Sequence, residues 1–466
     1  MARTLYVTAF SLFFYYRNSG AFVSLLFFTA FWDHGLGLAI HATEDPRARK
    51  LWISLSVASN LGLLGYFKYS GLLARTVQAL AGHDVSAVDL VVPVGLSFFT
   101  FQSLSYTIDI YRRKLAPAPS VLDFLFFVSF FPHLVAGPIV RAADFLPQVR
   151  QAASLTLAEM DEAFLLIGAG LLKKVILADS IGLRLVDPIF DNPARHTGPE
   201  CVLAILGYSV QIYGDFSGYT DLALGIALLM GFRLCENFNQ PYRAASLTEF
   251  WRRWHMSLSR WLRDYLYVPL GGSRKGTFRT YLNLMLTMLL GGLWHGASWR
   301  FMVWGGVHGV GLAIERALGV DPEKALKGWR YVWRTALTFL IVSLAWILFR
   351  VESLNGALSL LQGAAQATDL GLWQAVLKAH AWTLVLILVG LLMHWMPLSA
   401  EGWRRFFGRN WLGMLVNAVM DSGKGIAQNL SGFAGYFLRA LVLALFFLIV
   451  WQFQCQGAQP FIYFQF

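Results

Sequence analysis

Charged residues are scarce in this chain of 466 residues: Asp, Glu, Lys and Arg make up 14%, whereas 56% of the residues are hydrophobic. A soluble domain typically carries about 25% charged residues, so this composition excludes an ordinary soluble protein. Apolar runs of about 20 residues, the length that crosses a bilayer, recur from end to end. The sequence therefore predicts an all-α, polytopic membrane protein. We expect about ten or eleven transmembrane helices around a central funnel or channel, with interfacial amphipathic helices, and residues 1–466 as a single membrane domain.

Several other features are missing. The three cysteines, at positions 201, 235 and 455, form neither a disulfide framework nor a metal-binding spacing. The N-terminus has no small-residue cleavage pattern of a signal peptide. No P-loop, dinucleotide fingerprint, HExxH or G-x-S-x-G motif is present, so we expect no bound cofactor, no metal and no serine triad.

Positive charge is in excess, with a net charge of +11. In a membrane protein this indicates cytoplasmic loops that touch anionic lipid, and no nucleic-acid motif argues otherwise. Residues 231–280 hold nine cations against three anions and lack apolar runs. We interpret 231–280 as the main cytoplasmic insertion.

An amphipathic helix is predicted inside the insertion. Ser246 and Glu249 match a capping box, which starts a helix. At 3.6 residues per turn, one face would carry Trp251, Trp254, His255, Leu258, Leu262 and Tyr265, and the other Arg252, Arg253, Arg260 and Arg263. His255 on the apolar face either donates to a carbonyl or is a second titratable group that points into the protein.

The stretch 281–314 is apolar at both ends and broken by Gly291, Gly292 and Gly296. His295 lies among these glycines, and an imidazole at membrane depth is costly unless it faces protein or water. Irregular backbone at that depth has the same requirement. The stretch is either a polar site centred on His295 or a helical hairpin with a histidine in its loop.

Other segments have polar or irregular features. Residues 201–230 are apolar but interrupted between Tyr213 and Asp221, where Asp215 is either a structural hydrogen-bonding group or part of a site. Nearby, Gly214 and Gly218 predict close helix packing.

Further predictions concern the flanking spans. A span near 51–67 ends at Lys68 and Tyr69, residues suited to the membrane interface, and prolines make a uniform helix over 121–140 improbable. A last span is expected near 434–454, after the charged connector 403–424. The aromatic tail 460–466 is expected to pack on the bundle or at an interface.

The residues alone lead to an intramembrane acid–base site. A buried histidine, with or without a second, can deprotonate a hydroxyl so that it attacks an activated acyl group.

Longer motifs bring a resemblance. They are GLSFFTFQSLSYTIDIYR (95–112), FPHLVAGP (131–138), YGDFSGYTDLALG (213–225), NFNQPY (237–242), EFWRRWHMSLSRWLRDYLYVPLGG (249–272), LLGGLWHGA (289–297) and FIYFQF (461–466). In these motifs, which extend over nearly the whole chain, the sequence resembles the membrane-bound O-acyltransferase family, specifically its bacterial alginate O-acetylation branch. Relatives usually have a further apolar helix before the segment matching residues 2–16, which leaves the orientation of this N-terminus open.

The resemblance implies a function and a site. His295 would be the essential catalytic histidine and His255 a second polar residue of the site. The same resemblance implies that the substrate-binding residues are Asp215, Asn237, Arg263, Asp264 and Trp294. Acetyl groups would pass from cytoplasmic acetyl-CoA toward an exported polysaccharide through a periplasmic SGNH-type acetyltransferase partner, in the bacterial inner membrane.

Two alternatives stay open. In one, the protein transports a lipid-linked sugar or a small anion with His295 as proton relay, although no repeated halves of the transporter type are found. In the other, it is a scaffold that recruits the periplasmic enzyme.

Overall fold

A computed structural model describes residues 2–82, 90–151, 154–324 and 326–396, together with Gln452 and Phe461. All regular structure within these ranges is helical, in agreement with the predicted class. The first ten helices are α1 (Ala2–Ser19), α2 (Val23–Ala42), α3 (Pro46–Leu64), α4 (Ser70–Ala81), α5 (Leu96–Tyr111), α6 (Val121–Ser129), α7 (Phe131–Leu134), α8 (Ala142–Val149), α9 (Leu157–Leu171) and α10 (Asp179–Ile181). The next ten are α11 (Asp187–Asp191), α12 (Gly198–Leu229), α13 (Leu247–Trp251), α14 (Met256–Leu262), α15 (Thr277–His295), α16 (Trp299–Ala317), α17 (Gly328–Arg350), α18 (Leu354–Ala365), α19 (Leu370–Ala379) and α20 (Ala381–Leu392).

Short π-helical segments connect or extend several of these helices: Gly65–Tyr69, Leu172–Ala178, Gly182–Val186 and Arg263–Tyr267. As predicted, 121–140 is not one helix, since α6 ends before a separate short α7. The predicted connector 403–424 lies outside the described residues. So do the span near 434–454, apart from Gln452, and the tail 460–466, apart from Phe461.

Two stretches of the described chain are long and apolar enough to cross a membrane: Arg3–Ala42, which contains α1 and α2, and Gly328–Arg350, which is α17. A third span is possible if α19 and α20, bent by 84°, count as one. The prediction of ten or eleven spans is therefore not confirmed. The central helices α12, α15 and α16 carry buried polar side chains and glycines that pack against protein.

Helix α12 lies at the centre of the bundle and packs against α9, α17, α18 and α20. The polar residues that interrupt the apolar segment at 213–221 do not break the helix, since α12 runs through them and has 32 residues, about 48 Å. Its two aspartates are compatible with a continuous helix because each has a cationic partner. The Asp215 carboxylate lies 2.5 Å from the Lys174 ammonium, and the same distance separates Asp221 from Lys173.

The predicted glycine packing on α12 is confirmed. A Cβ added at Gly218 would lie 2.8 Å from the carbonyl oxygen of Gly170, and one at Gly170 would lie 2.6 Å from that of Gly218. Helices α9 and α12 therefore pack with their backbones in direct contact at these glycines.

The predicted amphipathic helix begins where expected: the Ser246 hydroxyl accepts a hydrogen bond from the Glu249 amide at 3.0 Å. A single continuous helix, however, is wrong. His255 takes a left-handed conformation (φ 42°, ψ 53°) that separates α13 from α14. The predicted sidedness survives the break with one exception: the apolar face is buried or half-buried and Arg252, Arg260 and Arg263 are exposed, but Arg253 is half-buried and pairs with Glu249.

Helices α15 and α16 form the predicted hairpin, but its break lies later than expected. Helix α15 continues through Gly291 and Gly292 to His295, and only Gly296 lies in the break. Gly292 serves the packing of the hairpin instead, since a Cβ there would overlap the carbonyl of Phe301 on α16.

Candidate active site

His295 is the last residue of α15. The helix ends there because Gly296 is extended (φ −165°, ψ 153°), and α16 begins three residues later at Trp299. Three aromatic rings enclose the imidazole, which is only 6% exposed: the ring centroids of Trp294, Trp304 and Phe349 lie 5.0, 5.2 and 5.0 Å from its own. The imidazole therefore faces protein and not lipid.

The left-handed turn at His255 brings a second imidazole to the same place. The two histidine ring centroids are 6.5 Å apart, and the His255 ring is fully buried. Phe216 of α12 packs edge-on against it at 4.8 Å, and Trp294 lies 6.1 Å from it. This position agrees with the second interpretation of His255, a titratable group that points into the protein.

Asn237 fixes the protonation of the His255 ring. The Asn237 Oδ1 atom accepts a hydrogen bond from the Ser257 amide at 3.2 Å, and because a backbone amide only donates, this bond identifies the side-chain oxygen. The same oxygen lies 3.0 Å from His255 Nδ1. Nδ1 must therefore carry the hydrogen, and Nε2 is the ring nitrogen with the lone pair.

Lys68 and Tyr69 were expected at the membrane interface, but in the structure they reach the end of α15. The Lys68 ammonium donates to the carbonyl oxygens of Trp294 and His295, the latter at 3.3 Å, and the Tyr69 hydroxyl donates to that of Leu293 at 2.9 Å. Sequence reasoning missed both residues, because they are more than 220 positions away from these carbonyls.

His308 is a third buried histidine close to the site. Its ring lies 4.8 Å from that of Trp304, whose ring in turn packs against His295. The Trp251 indole donates to His308 Nδ1 at 3.4 Å, which places the hydrogen of that imidazole on Nε2. The sequence contained one signal for the contact between Trp304 and His308: their spacing of four residues puts both on one face of α16.

A row of stacked rings leads away from the imidazoles. Trp294 lies 5.3 Å from Phe101, Phe101 stacks on Trp261 at 3.7 Å, and Trp261 lies 5.1 Å from Tyr265. The row thus connects the predicted site residue Trp294 with Tyr265, in the middle of the π-helical segment that follows α14.

Arg263 and Asp264 lie at the far end of this row. The Asp264 carboxylate pairs with Arg263 at 2.7 Å and with Arg141 at 2.9 Å. Arg112 and Arg141 each lie 5.4 Å from the Tyr265 ring. Burial raises the pKa of Asp264, but the two arginine partners outweigh burial and lower the pKa below its usual value. The structure places this charged cluster apart from the imidazoles.

Asp215 is also not brought to the imidazoles. Its carboxylate faces Lys174, which in turn contacts Asp179 at 2.8 Å, whereas the next residue, Phe216, contacts His255. Of the seven predicted residues, the structure brings together His295, His255, Asn237 and Trp294.

A cavity of about 580 Å³ adjoins the site through Asn237. Its described lining includes the Lys173–Asp221 ion pair, Tyr213 and Arg243. The tail residue Phe461 packs on the same part of α12, 5.8 Å from the ring of Phe216 and 4.8 Å from that of Tyr219. For this one residue the predicted packing of the tail on the bundle is confirmed.

Comparison with known proteins agrees with this arrangement. A sequence model of the membrane-bound O-acyltransferase family matches residues 111–320, which contain both imidazoles. A probable alginate O-acetylase of Azotobacter vinelandii is 39% identical, over 96% of this chain and 91% of that protein. A peptidoglycan O-acetyltransferase of Helicobacter pylori is 34% identical over 77% and 73%, and a teichoic acid D-alanyltransferase of Streptococcus thermophilus is 30% identical over 55% and 68%. The chain therefore belongs to the membrane-bound O-acyltransferase family and is an O-acyltransferase.

Proposed function

We propose that this protein is a membrane O-acetyltransferase of the bacterial inner membrane. It moves acetyl groups from cytoplasmic acetyl-CoA toward hydroxyls of an exported polysaccharide, with a separate periplasmic SGNH-type acetyltransferase as partner. The polysaccharide acceptor is supported by the names of the relatives, which act on alginate and peptidoglycan. The observation that carries the proposal is the pair of buried imidazoles at the end of α15.

The chemistry follows from this pair. His295 acts as general base: it takes the proton of the acceptor hydroxyl, whose oxygen attacks the thioester carbonyl carbon. The carbon–sulfur bond then breaks, and the proton passes from the imidazole to the departing thiolate, giving the ester and free CoA. His255, held as the Nδ1–H tautomer by Asn237 and with its ring 6.5 Å from that of His295, orients the hydroxyl.

The remaining predicted residues have different roles in this scheme. Arg263, together with Arg112 and Arg141, forms a basic cluster that attracts the phosphates of the donor, with Asp264 holding the arginines in place. Trp294 forms part of the wall of the site. We assign Asp215 to the support of α12 through its ion pair with Lys174.

The arrangement in the membrane is part of the same proposal. Residues 1–466 form one membrane domain with ten or eleven spans, 231–280 face the cytoplasm, and 281–314 are the catalytic hairpin. The excess of cations in 231–280 supports this orientation.

Transfer from labelled acetyl-CoA by membranes that contain the full chain tests the function. His295→Ala is expected to lower the rate by about 10²- to 10⁴-fold, the usual contribution of a general base. Exposed His41, on α2, provides the matched control, and His41→Ala should transfer at the normal rate. Undiminished transfer by His295→Ala would refute the assignment of the base and favour a scaffolding role.

A further inference from the structure

The C-terminal end of α15 carries backbone carbonyls that the helix itself does not satisfy. The last four carbonyls of any α-helix have no intrahelical donor, and they must find partners when the end is buried. Here the chain turns away at the extended Gly296, so the donors come from elsewhere in the fold.

Those donors come from the π-helical segment Gly65–Tyr69. The Lys68 ammonium donates to the carbonyls of Trp294 and His295 and also to the Ser97 hydroxyl at 3.1 Å. The Tyr69 hydroxyl donates to the preceding carbonyl, that of Leu293. Three successive carbonyls are thus held by two adjacent side chains.

We propose that Lys68 and Tyr69 are positioning residues, which set the location and direction of the His295 imidazole by holding the end of α15. The inference rests on the proposed function, since it assigns Lys68 and Tyr69 a part in the reaction of that histidine. Neither side chain touches the reacting atoms: both act by fixing the backbone from which the imidazole projects.

The direction of the side chain separates this role from a membrane anchor. A lysine near the end of a span normally extends toward water, with its stem along the apolar surface. Lys68 instead points inward, and its ammonium lies 5.8 Å from the centre of the Trp294 ring. An ammonium withdrawn from water is costly unless hydrogen bonds compensate, and the carbonyls of Trp294 and His295 supply them here.

Kinetics of the full chain in membranes test the role. Lys68→Met is expected to lower kcat for acetyl transfer by about 10- to 100-fold, since a misplacement of about 1 Å can cost 10²-fold, while the KM for acetyl-CoA stays within about twofold. Lys68→Arg keeps a cationic donor and should recover most of kcat. Lys50→Met, at an exposed position of α3, is the matched control and should behave as the unaltered protein.

The outcomes distinguish the inference from the function on which it rests. Normal kcat in Lys68→Met, with His295→Ala inactive, would overturn the positioning role and leave the proposed function intact. Full activity of His295→Ala would overturn the function itself. If Lys68→Met does not fold, Tyr69→Phe decides, since it removes a single hydrogen bond: a lowered kcat at unchanged KM supports the inference, and an unchanged kcat overturns it.

Discussion

Replacement of Gly305 by alanine tests the close contact that holds the α15–α16 hairpin together. A Cβ at this position would overlap the carbonyl oxygen of Met288 and lie 2.9 Å from its carbonyl carbon and 3.2 Å from the Leu289 Cα. All three are backbone atoms of α15, so no side chain can rotate to make room. The two helices would have to separate.

The neighbouring Gly306 is a control within the same helix. A Cβ there would lie 3.7 Å from the Leu289 Cδ2, an ordinary contact with a flexible side chain. Both substitutions gain the same intrinsic helix propensity, about 1 kcal/mol, so this gain cancels when the two variants are compared. Carbon atoms pack at about 3.5–4.0 Å, so Gly305→Ala alone must shift backbone by several tenths of an ångström. We expect Gly305→Ala to be less stable than Gly306→Ala by about 1–3 kcal/mol, the usual cost of overpacking.

Unfolding of the two purified variants in mild detergent measures this difference. Acetyl transfer should fall in Gly305→Ala and stay normal in Gly306→Ala, because His295 ends the helix that is displaced. Equal stability of the two variants would refute the reasoning, since it would mean that the helices do not meet at backbone distance.

Two further predictions concern the polar partners of the site. Asn237→Ala removes the acceptor that fixes the His255 tautomer: kcat should fall by about 10- to 100-fold, corresponding to about 1.4–2.8 kcal/mol, and a normal kcat in this variant would contradict the role of the tautomer. The pKa of Asp264 is lowered because Arg263 and Arg141 outweigh its burial. Its ion pairs therefore stabilise the folded protein above the unfolded-state pKa of about 3.9. This stabilisation is lost as the pH falls through the lower pKa of the folded state. In unfolding measured from pH 6 to pH 3, Asp264→Asn should lose this part of the acid sensitivity, and an identical pH dependence in both proteins would count against the ion pairs.

The sequence of 281–314 predicts either a polar site at His295 or a hairpin with a histidine in its loop, because an imidazole and irregular backbone at membrane depth both require a protein-lined or aqueous surrounding. The helical period placed His255 on the buried side of its segment, and the structure keeps that sidedness. The aspartates of 201–230 were recognised as needing polar partners, and Lys173 and Lys174 are those partners. Composition, periodicity and the cost of burying charge are local properties, which a sequence contains in full.

Contacts between distant segments were decided only by the tertiary structure. The left-handed turn at His255 replaced the continuous helix because it lets the ring meet Asn237 and Phe216, neither of which the periodicity of that segment includes. Helix α12 stays unbroken because its charges are neutralised from another segment. Lys68 reads in sequence as an interfacial cation, and only the packing of its π-helical segment against the end of α15 turns it inward. The chemistry of each side chain follows from the sequence. Which hydrogen-bonding and charged groups pair with each other depends on packing between residues far apart in the sequence.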